Sequence, residues 1–428
     1  MPVYEFVLED RDGQRQSLFY DNHTSRLTNE KGEEVLTPES FQQLEHKPVE
    51  RVSPETPGRK VRNPKRLRIQ LGLKCNYACS YCLQAANIGD AEDTNIEDAE
   101  RFFRNLDLWL EGAPKRIEFW GGEPLVYWRK IKYLLPRLAE KFPGVDFLIV
   151  TNGSLIHQDF IDHVVRYDVQ VAISHDGPGQ HVRGPDPLDD PEKFEMIRRL
   201  MELRPGRFSF NTVLHSENRD LFAIADFFDS RFGPGTPIGL EGVALTIENE
   251  QGEGHARPFT DQEYRELVNN IAMAMAYGLG ERFGTLNGGS MMWIRSIAER
   301  RPAASLGQKC GMDLPDQLAV DLRGNVMTCQ NTGAKGKHRI GHVSRMEDVR
   351  LNTAWHWSFR DECSSCPVLQ LCRGSCMYTS EANWFYTCQN EYHYNMGILA
   401  GTLMRMTGMV LREIKGDIVR PTLPEAGE

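Results

Sequence analysis

The sequence has no apolar run long enough to cross a bilayer. Its longest uncharged apolar stretch, Ile271 to Gly280, spans ten residues, where about twenty are required. It has no basic and then apolar N-terminal segment of the secretory kind, because Met1-Pro2-Val3-Tyr4-Glu5-Phe6 supplies neither part. It has no excess of positive charge: 50 Lys and Arg against 60 Asp and Glu give a net charge of −10. That balance supplies no broad attraction to nucleic acid or an anionic membrane. The expectation is a cytoplasmic protein with no membrane or nucleic-acid partner. With 428 residues, 40% apolar and 26% charged, a large core can be buried and two or three domains are expected.

Cysteine is also missing where a disulfide framework would need it. Three of the ten cysteines fall between 75 and 82, none between 83 and 309, and seven between 310 and 388. Two dense clusters far apart in the chain point to metal rather than to crosslinks.

The first 60 residues alternate β-prone runs (Val3 to Leu8, Gln16 to Tyr20) with turns such as Arg11-Asp12-Gly13 and Asn29-Glu30-Lys31-Gly32. They read as a β-rich extension and a possible peptide-contact region. A connector with Pro54 and Pro57 leads into Arg59, Lys60, Arg62, Lys65, Arg66 and Arg68, a stretch without acids. It reads as a solvated linker, or as a surface for an acidic peptide.

From 61 to 255 strands and helices alternate. Strands are expected at Leu67 to Leu73, Arg116 to Trp120, Val145 to Val150, Val169 to Ser174, Phe208 to Val213 and Ile238 to Val243. Helices are expected at 96–110, 128–141, 157–166, 191–203 and 219–230. Six such units imply a parallel α/β architecture with its chemistry at the carboxyl ends of the strands. A helical bridge follows over 256–309, starting at the capping sequence Thr260-Asp261-Gln262-Glu263. The rest, 310–428, reads as loop-rich and metal-held, with a last helix from Tyr392 to Ile414. Trp355, Trp357 and Trp384 are expected in the core of that small domain.

Cys75, Cys79 and Cys82 follow the first strand with C-x3-C-x2-C spacing. Three thiolates there can bind three irons of a cubane and leave the fourth open to cofactor or substrate. The rival is a zinc knuckle, which lacks a nearby fourth ligand. This loop resembles that of the radical S-adenosylmethionine (SAM) superfamily. Tyr81 matches the family's aromatic position near the adenine. Gly121-Gly122-Glu123-Pro124 matches its GGEP motif, in which Glu123 accepts from the methionyl ammonium. Asn152 ends the third strand, and Ser174 and Asp176 lie in a segment similar to the family's S-x-D-G-P. Arg183 is a candidate partner of the cofactor carboxylate. The resemblance implies a partial (βα)6 TIM-type barrel that binds SAM on a [4Fe-4S] cluster.

The C-terminal cysteines resemble the SPASM extension, which carries two auxiliary clusters. By that resemblance Cys310, Cys329 and Cys376 hold auxiliary cluster I, while Cys363, Cys366, Cys372 and Cys388 hold auxiliary cluster II. Two structural zincs are the alternative. Three cubanes present twelve irons and ten cysteines leave two unfilled (12 − 10 = 2). SAM takes one; Asp313, Asp316, His338 or a substrate thiolate remains open for the other.

The resemblance implies reductive cleavage of SAM to a 5′-deoxyadenosyl radical, hydrogen abstraction from a peptide or protein, and thioether, carbon–carbon or similar crosslinks. It also implies a flavodoxin- or ferredoxin-type electron donor, and a leader segment that adds to a sheet edge. A second expectation is formylglycine formation of the sulfatase-maturase kind. There a carboxylate follows the second SPASM cysteine as base; here Gln330 and Asn331 follow Cys329. The non-enzyme alternative is a zinc-stabilised binding scaffold. Near the barrel mouth Glu118, Glu241, His175 and His181 read as hydrogen-bonded wall residues, the alternative being that they touch substrate.

Overall fold

A computed structural model of the chain describes residues 3–36, 45–244, 258–379 and 381–422. The boundary expected at 255 lies outside the described residues. The chain opens with a β-meander, β1 (Val3–Glu9), β2 (Arg15–Asp21) and β3 (Arg26–Asn29), followed by the two-residue β4 (Gly58–Arg59).

Then come β5 (Arg66–Gln70), α1 (Ile96–Arg104), α2 (Leu106–Trp109), β6 (Arg116–Trp120), α3 (Trp128–Lys141), β7 (Asp146–Thr151) and α4 (Gln158–Arg166). The pattern continues through β8 (Gln170–Ser174), α5 (Pro191–Leu203), β9 (Phe208–Leu214), α6 (Leu221–Phe232) and β10 (Ile238–Val243). All six expected strands are present. Side chains fix the helix starts: Asn95 and Asp98 form a capping box at α1, and the Asp190 and Asp220 carboxylates accept first-turn amides of α5 and α6.

Helices α7 (Asp261–Ala276), α8 (Leu279–Arg282) and α9 (Gly284–Ala298) form the bridge. The capping box expected of Thr260 and Glu263 is in place. Beyond it the expectation of a loop-rich segment needs correction. The strands β11 (Gln317–Asp321), β12 (Asn325–Met327) and β13 (Arg339–His342) extend the main sheet. Its order is β10-β9-β8-β7-β6-β5-β11-β12-β13. β11 runs parallel to β5, with Gln317 opposite Arg66 and Asp321 opposite Gln70. The cysteine-rich region is therefore continuous with the sheet that carries the Cys75–Cys82 loop.

After β14 (Arg350–Leu351), α10 (Asp361–Ser364) and α11 (Leu369–Cys372), a long helix, α12 (Glu381–Thr407), precedes β15 (Val410–Lys415). The helix expected to reach Ile414 stops seven residues earlier, because Gly408 takes φ +74° and accommodates the left-handed turn there. β15 then pairs antiparallel with β1, so the second sheet reads β15-β1-β2-β3. One edge of the N-terminal sheet is thus covered by the chain's own end.

The basic stretch is solvated only in part, with Arg59 and Lys65 exposed. Lys60 and Arg68 are buried, because Lys60 Nζ donates to the Met312 and Leu314 carbonyls and Arg68 pairs with Glu118 at 3.0 Å. Trp357 and Trp384 are buried as expected, but Trp355 is 40% exposed. It packs edge-on against Phe359 at the surface. Among the described residues no helix is long and apolar enough to cross a membrane.

Candidate active site

β5 delivers the Cys75–Cys82 loop to the carboxyl end of the sheet, where the chain's polar groups hold it. Ser80 N–H donates to the Val182 carbonyl at 3.0 Å. Tyr77 hydroxyl donates to the Pro185 carbonyl at 2.6 Å. Asn152 Nδ2 donates to Asn76 Oδ1 at 3.0 Å. The loop is thereby fixed against the segments that follow β7 and β8.

The GGEP turn after β6 lies on the same loop. Gly122 N–H donates to the Gly72 carbonyl at 3.1 Å and Glu123 N–H to the Lys74 carbonyl at 3.1 Å. A Cβ on Gly122 would stand 2.4 Å from the Leu73 oxygen and 2.5 Å from the Lys74 oxygen, so only glycine permits this approach. Glu123 is buried. Its Oε1 accepts from Leu125 N–H at 2.9 Å and Thr151 Oγ1 at 2.6 Å, and its Oε2 from Asn152 N–H at 2.7 Å. Burial pushes its carboxyl upward against those three donors. A carboxylate offers about four acceptor sites, so capacity remains on the side facing the cavity.

These elements enclose a cavity of about 280 Å³. Cys75, Cys79, Cys82, Tyr81, Gly121, Gly122, Glu123, Pro124, Asn152, Ser174 and Arg183 all line it. Asp176 does not. It is fully buried behind the wall, where Oδ1 accepts from Val213 N–H at 3.0 Å and Oδ2 from the Tyr81 hydroxyl. Arg183 Nη1 donates to the same phenol oxygen at 2.6 Å. Its oxygens are turned to Tyr81 and the backbone, and they fix the two side chains that face the cavity.

Two further wall residues, Asn331 and Glu391, escaped the sequence reading. Asn331 Oδ1 accepts from Trp120 Nε1 at 3.0 Å and Gln84 Nε2 at 3.2 Å, and so ties the segment after Cys329 to the first loop. Glu391, on α12, pairs with Lys309 at 2.8 Å. Asn390 places it there by donating to the Ala244 carbonyl at 2.8 Å. Glu241 also faces the cavity, accepting from Asn211 Nδ2, and burial raises its carboxyl. The remaining mouth residues are wall or surface groups: Glu118 pairs with Arg66 and Arg68, buried His175 with Asp186 at 2.8 Å, and exposed His181 with Glu217.

The other cysteines form two groups. Cys363, Cys366, Cys372 and Cys388 line one apolar pocket with Val368, Leu369 and Trp384. Burial and then Cys376 raise the Cys310 thiol, and burial, Cys376 and Cys310 raise that of Cys329, so the three lie together. All ten are free thiols. Burial pushes Cys79 and Cys310 up to about 11 and Cys329 and Cys388 up to about 12. Thiolates at these places need a cationic partner, which iron supplies. Among the described residues no three His, Cys, Asp or Glu side chains are gathered tightly enough for a single ion. The four pocket thiols line one small common pocket instead.

Comparison with known proteins agrees with this geometry. Residues 69–228 match the model of the radical SAM superfamily. The radical SAM cyclopropyl synthase TigE of Paramaledivibacter caminithermalis is 24% identical over 372 residues, covering 81% of this chain and 73% of that protein. The serine-type anaerobic sulfatase-maturating enzyme of Klebsiella aerogenes is 21% identical over 352 residues, covering 77% of this chain and 84% of that one. The fold matches that of anSMEcpe with bound AdoMet and the Cp18Cys peptide, with TM-score 0.57 and 18% identity over 80% of this chain and 98% of that one. Residues 69–228 therefore carry a radical SAM domain, and the chain is an enzyme related to peptide and protein maturases.

Proposed function

We propose that this chain is a radical SAM peptide maturase that abstracts hydrogen from a residue of a ribosomally made peptide or protein and forms a thioether, carbon–carbon or similar crosslink. The carrying observation is the single cavity lined by all three Cys75–Cys82 thiols and the GGEP, Asn152, Ser174 and Arg183 side chains. Bound there, a [4Fe-4S] cluster and SAM supply a carbon-centred radical by reductive cleavage of the sulfonium.

The chain's own residues bind, orient and shield. Glu123 takes the cofactor's ammonium on its remaining acceptor site. Arg183, held against Tyr81 at 2.6 Å, takes its carboxylate, and the Tyr81 ring packs on the adenine. Val150, Val213, Val243 and Trp120 supply the apolar part of the wall, beside polar Glu241, Asn331 and Glu391, and that part keeps water and stray hydrogen donors away. Cys310, Cys329 and Cys376, and the pocket of Cys363, Cys366, Cys372 and Cys388, hold two auxiliary [4Fe-4S] clusters. Such clusters and reduced thiols suit a cytoplasmic compartment with a flavodoxin- or ferredoxin-type donor.

The formylglycine reading is the weaker. Gln330, where a maturase carries its carboxylate base, is neutral, and its backbone carbonyl accepts from Gln70 Nε2 at 2.8 Å. Anaerobic incubation with SAM, reductant and the peptide encoded beside the gene tests the choice. A mass loss of two hydrogens per link with no aldehyde supports crosslinking. Conversion of a sulfatase-type Cys or Ser peptide to aldehyde, with the neighbouring peptide untouched, overturns it.

A further inference from the structure

Cys310, Cys329 and Cys376 leave one iron of a cubane without a cysteine, and three side chains compete for it. Asp316 is engaged elsewhere: its carboxylate lies 2.6 Å from Lys65 Nζ, and its backbone carbonyl accepts from Arg66 N–H at 3.2 Å. His338 shares Nδ1 with Thr328 Oγ1 at 3.1 Å and stands edge-on to Tyr378. It lines a surface groove with Asn352 and Thr353.

Asp313 differs. Its Oδ2 accepts from Gln308 N–H at 2.8 Å, but its Oδ1 is buried with no hydrogen-bond partner. Among the described residues no basic nitrogen comes within the 4.0 Å of an ion pair. A carboxylate oxygen withdrawn from water without a partner is costly, and metal ligation is one of the few arrangements that removes the cost.

The surroundings fix this carboxylate in place. Buried Lys60 donates Nζ to the Met312 and Leu314 carbonyls at 2.5 and 2.9 Å, on either side of Asp313. A Cβ on Gly307 would stand 2.6 Å from Asp313 Oδ2, so the absence of a side chain there admits the carboxylate. Cys310 belongs to the same turn: Gly311 takes φ +72°, and the Cys310 thiol accepts from Met312 N–H. Gln308, which donates its N–H to Asp313, accepts on its carbonyl from Gly311 N–H at 3.1 Å, so the carboxylate and Cys310 are held in one turn.

We propose that Asp313 is the fourth protein ligand of the cluster held by Cys310, Cys329 and Cys376, its Oδ1 on the iron that no cysteine reaches. This rests on the reading that those thiols hold an iron–sulfur cluster. It deepens that reading: a cluster closed by Asp313 has no corner for a substrate thiolate. It serves as an electron store, and the peptide needs no cysteine to engage it.

The test uses the full chain with Cys75, Cys79 and Cys82 all changed to alanine, reconstituted anaerobically, with carbon-13 cyanide as the probe of open iron. About eight irons are expected to remain; fewer overturns the two-cluster reading itself, independently of Asp313. With Asp313 present, the reduced protein's EPR spectrum is expected to be unchanged by cyanide and to show no carbon-13 coupling. Asp313→Ala is expected to give that coupling and a changed spectrum. Coupling with Asp313 in place overturns the proposal, as does an Asp313→Ala protein with the parent's spectrum and no coupling. Should Asp313→Ala lose four irons, Asp313→Cys decides: a retained, cyanide-silent cluster supports the proposal, and a lost or cyanide-binding one overturns it.

Discussion

Tyr81 and Arg183, separated by 102 residues, meet at a single atom: the guanidinium donates to the phenol oxygen at 2.6 Å while that phenol donates to buried Asp176. The sidedness of the cavity follows from this junction. Asp176 is fully enclosed and reaches the cavity only through the two side chains it fixes, one an aromatic face and the other a cation.

Arg183→Met tests that junction. Loss of a charged hydrogen-bonding group is worth roughly 1.5–3 kcal/mol, so SAM affinity should fall about tenfold to a hundredfold in anaerobic equilibrium dialysis. Iron content should hold, because Arg183 is no cluster ligand. Unchanged affinity would remove Arg183 from the cofactor site.

Gly122→Ala tests the backbone approach. The added methyl would meet two carbonyl oxygens at 2.4 and 2.5 Å, so the Cys75–Cys82 loop and the GGEP turn must separate. The expected result is loss of cofactor cleavage, with about 1–3 kcal/mol of destabilisation in a denaturant melt. Full cleavage by this variant would show that the two turns need not touch.

Six strands and their helices were legible because period-2 and period-3.6 runs are bounded by capping residues such as Asn95, Asp190 and Thr260. The strands β11 to β13 were not. They are short, lie among cysteines and glycines, and gain their strand identity from pairing with β5. β15 was hidden by the apolar run it shares with α12; Gly408 was the available stop signal. The GGEP and C-x3-C-x2-C residues could be read because the chemistry fixes their local order. Asn331 and Glu391 line the cavity only because β11 and α12 bring the C-terminal region onto the barrel mouth, which no local pattern records. For Asp176 the segment was legible, but the direction of its side chain was not.

Asn22 tests whether the N-terminal sheet supports the second thiol group. Asn22 is fully buried and donates Nδ2 to the Cys366 carbonyl at 2.6 Å, while its own carbonyl accepts from Gln370 Nε2 at 3.1 Å. Asn22→Ala removes one of the two donors to the Cys366 carbonyl, which keeps the Leu369 N–H at 3.1 Å, at a cost of about 0.5–1.5 kcal/mol. Chelator should then remove iron faster from protein whose Cys75–Cys82 loop has been changed to alanine. An unchanged rate would detach the sheet from this pocket.

His393 sets part of the acid response. Its ring stacks on Tyr264 at 4.1 Å, and burial pushes its pKa down to about 4. A folded value below the unfolded value of about 6.5 means that the unfolded chain binds the extra proton first. Stability from this group is therefore complete above about 6.5 and falls as pH drops toward 4. His393→Phe should flatten the decline between about pH 6.5 and 4 in anaerobic denaturant melts. An identical slope would exclude His393 as a contributor.

The most direct test of the account is anaerobic reduction of the iron-loaded chain with SAM, with 5′-deoxyadenosine and metal measured on the same sample. The account predicts about twelve irons per chain, 5′-deoxyadenosine formation, and complete loss of that product in Cys79→Ala but not in Cys366→Ala. A chain that carries zinc and no iron, or that never cleaves SAM with its clusters intact, would contradict it.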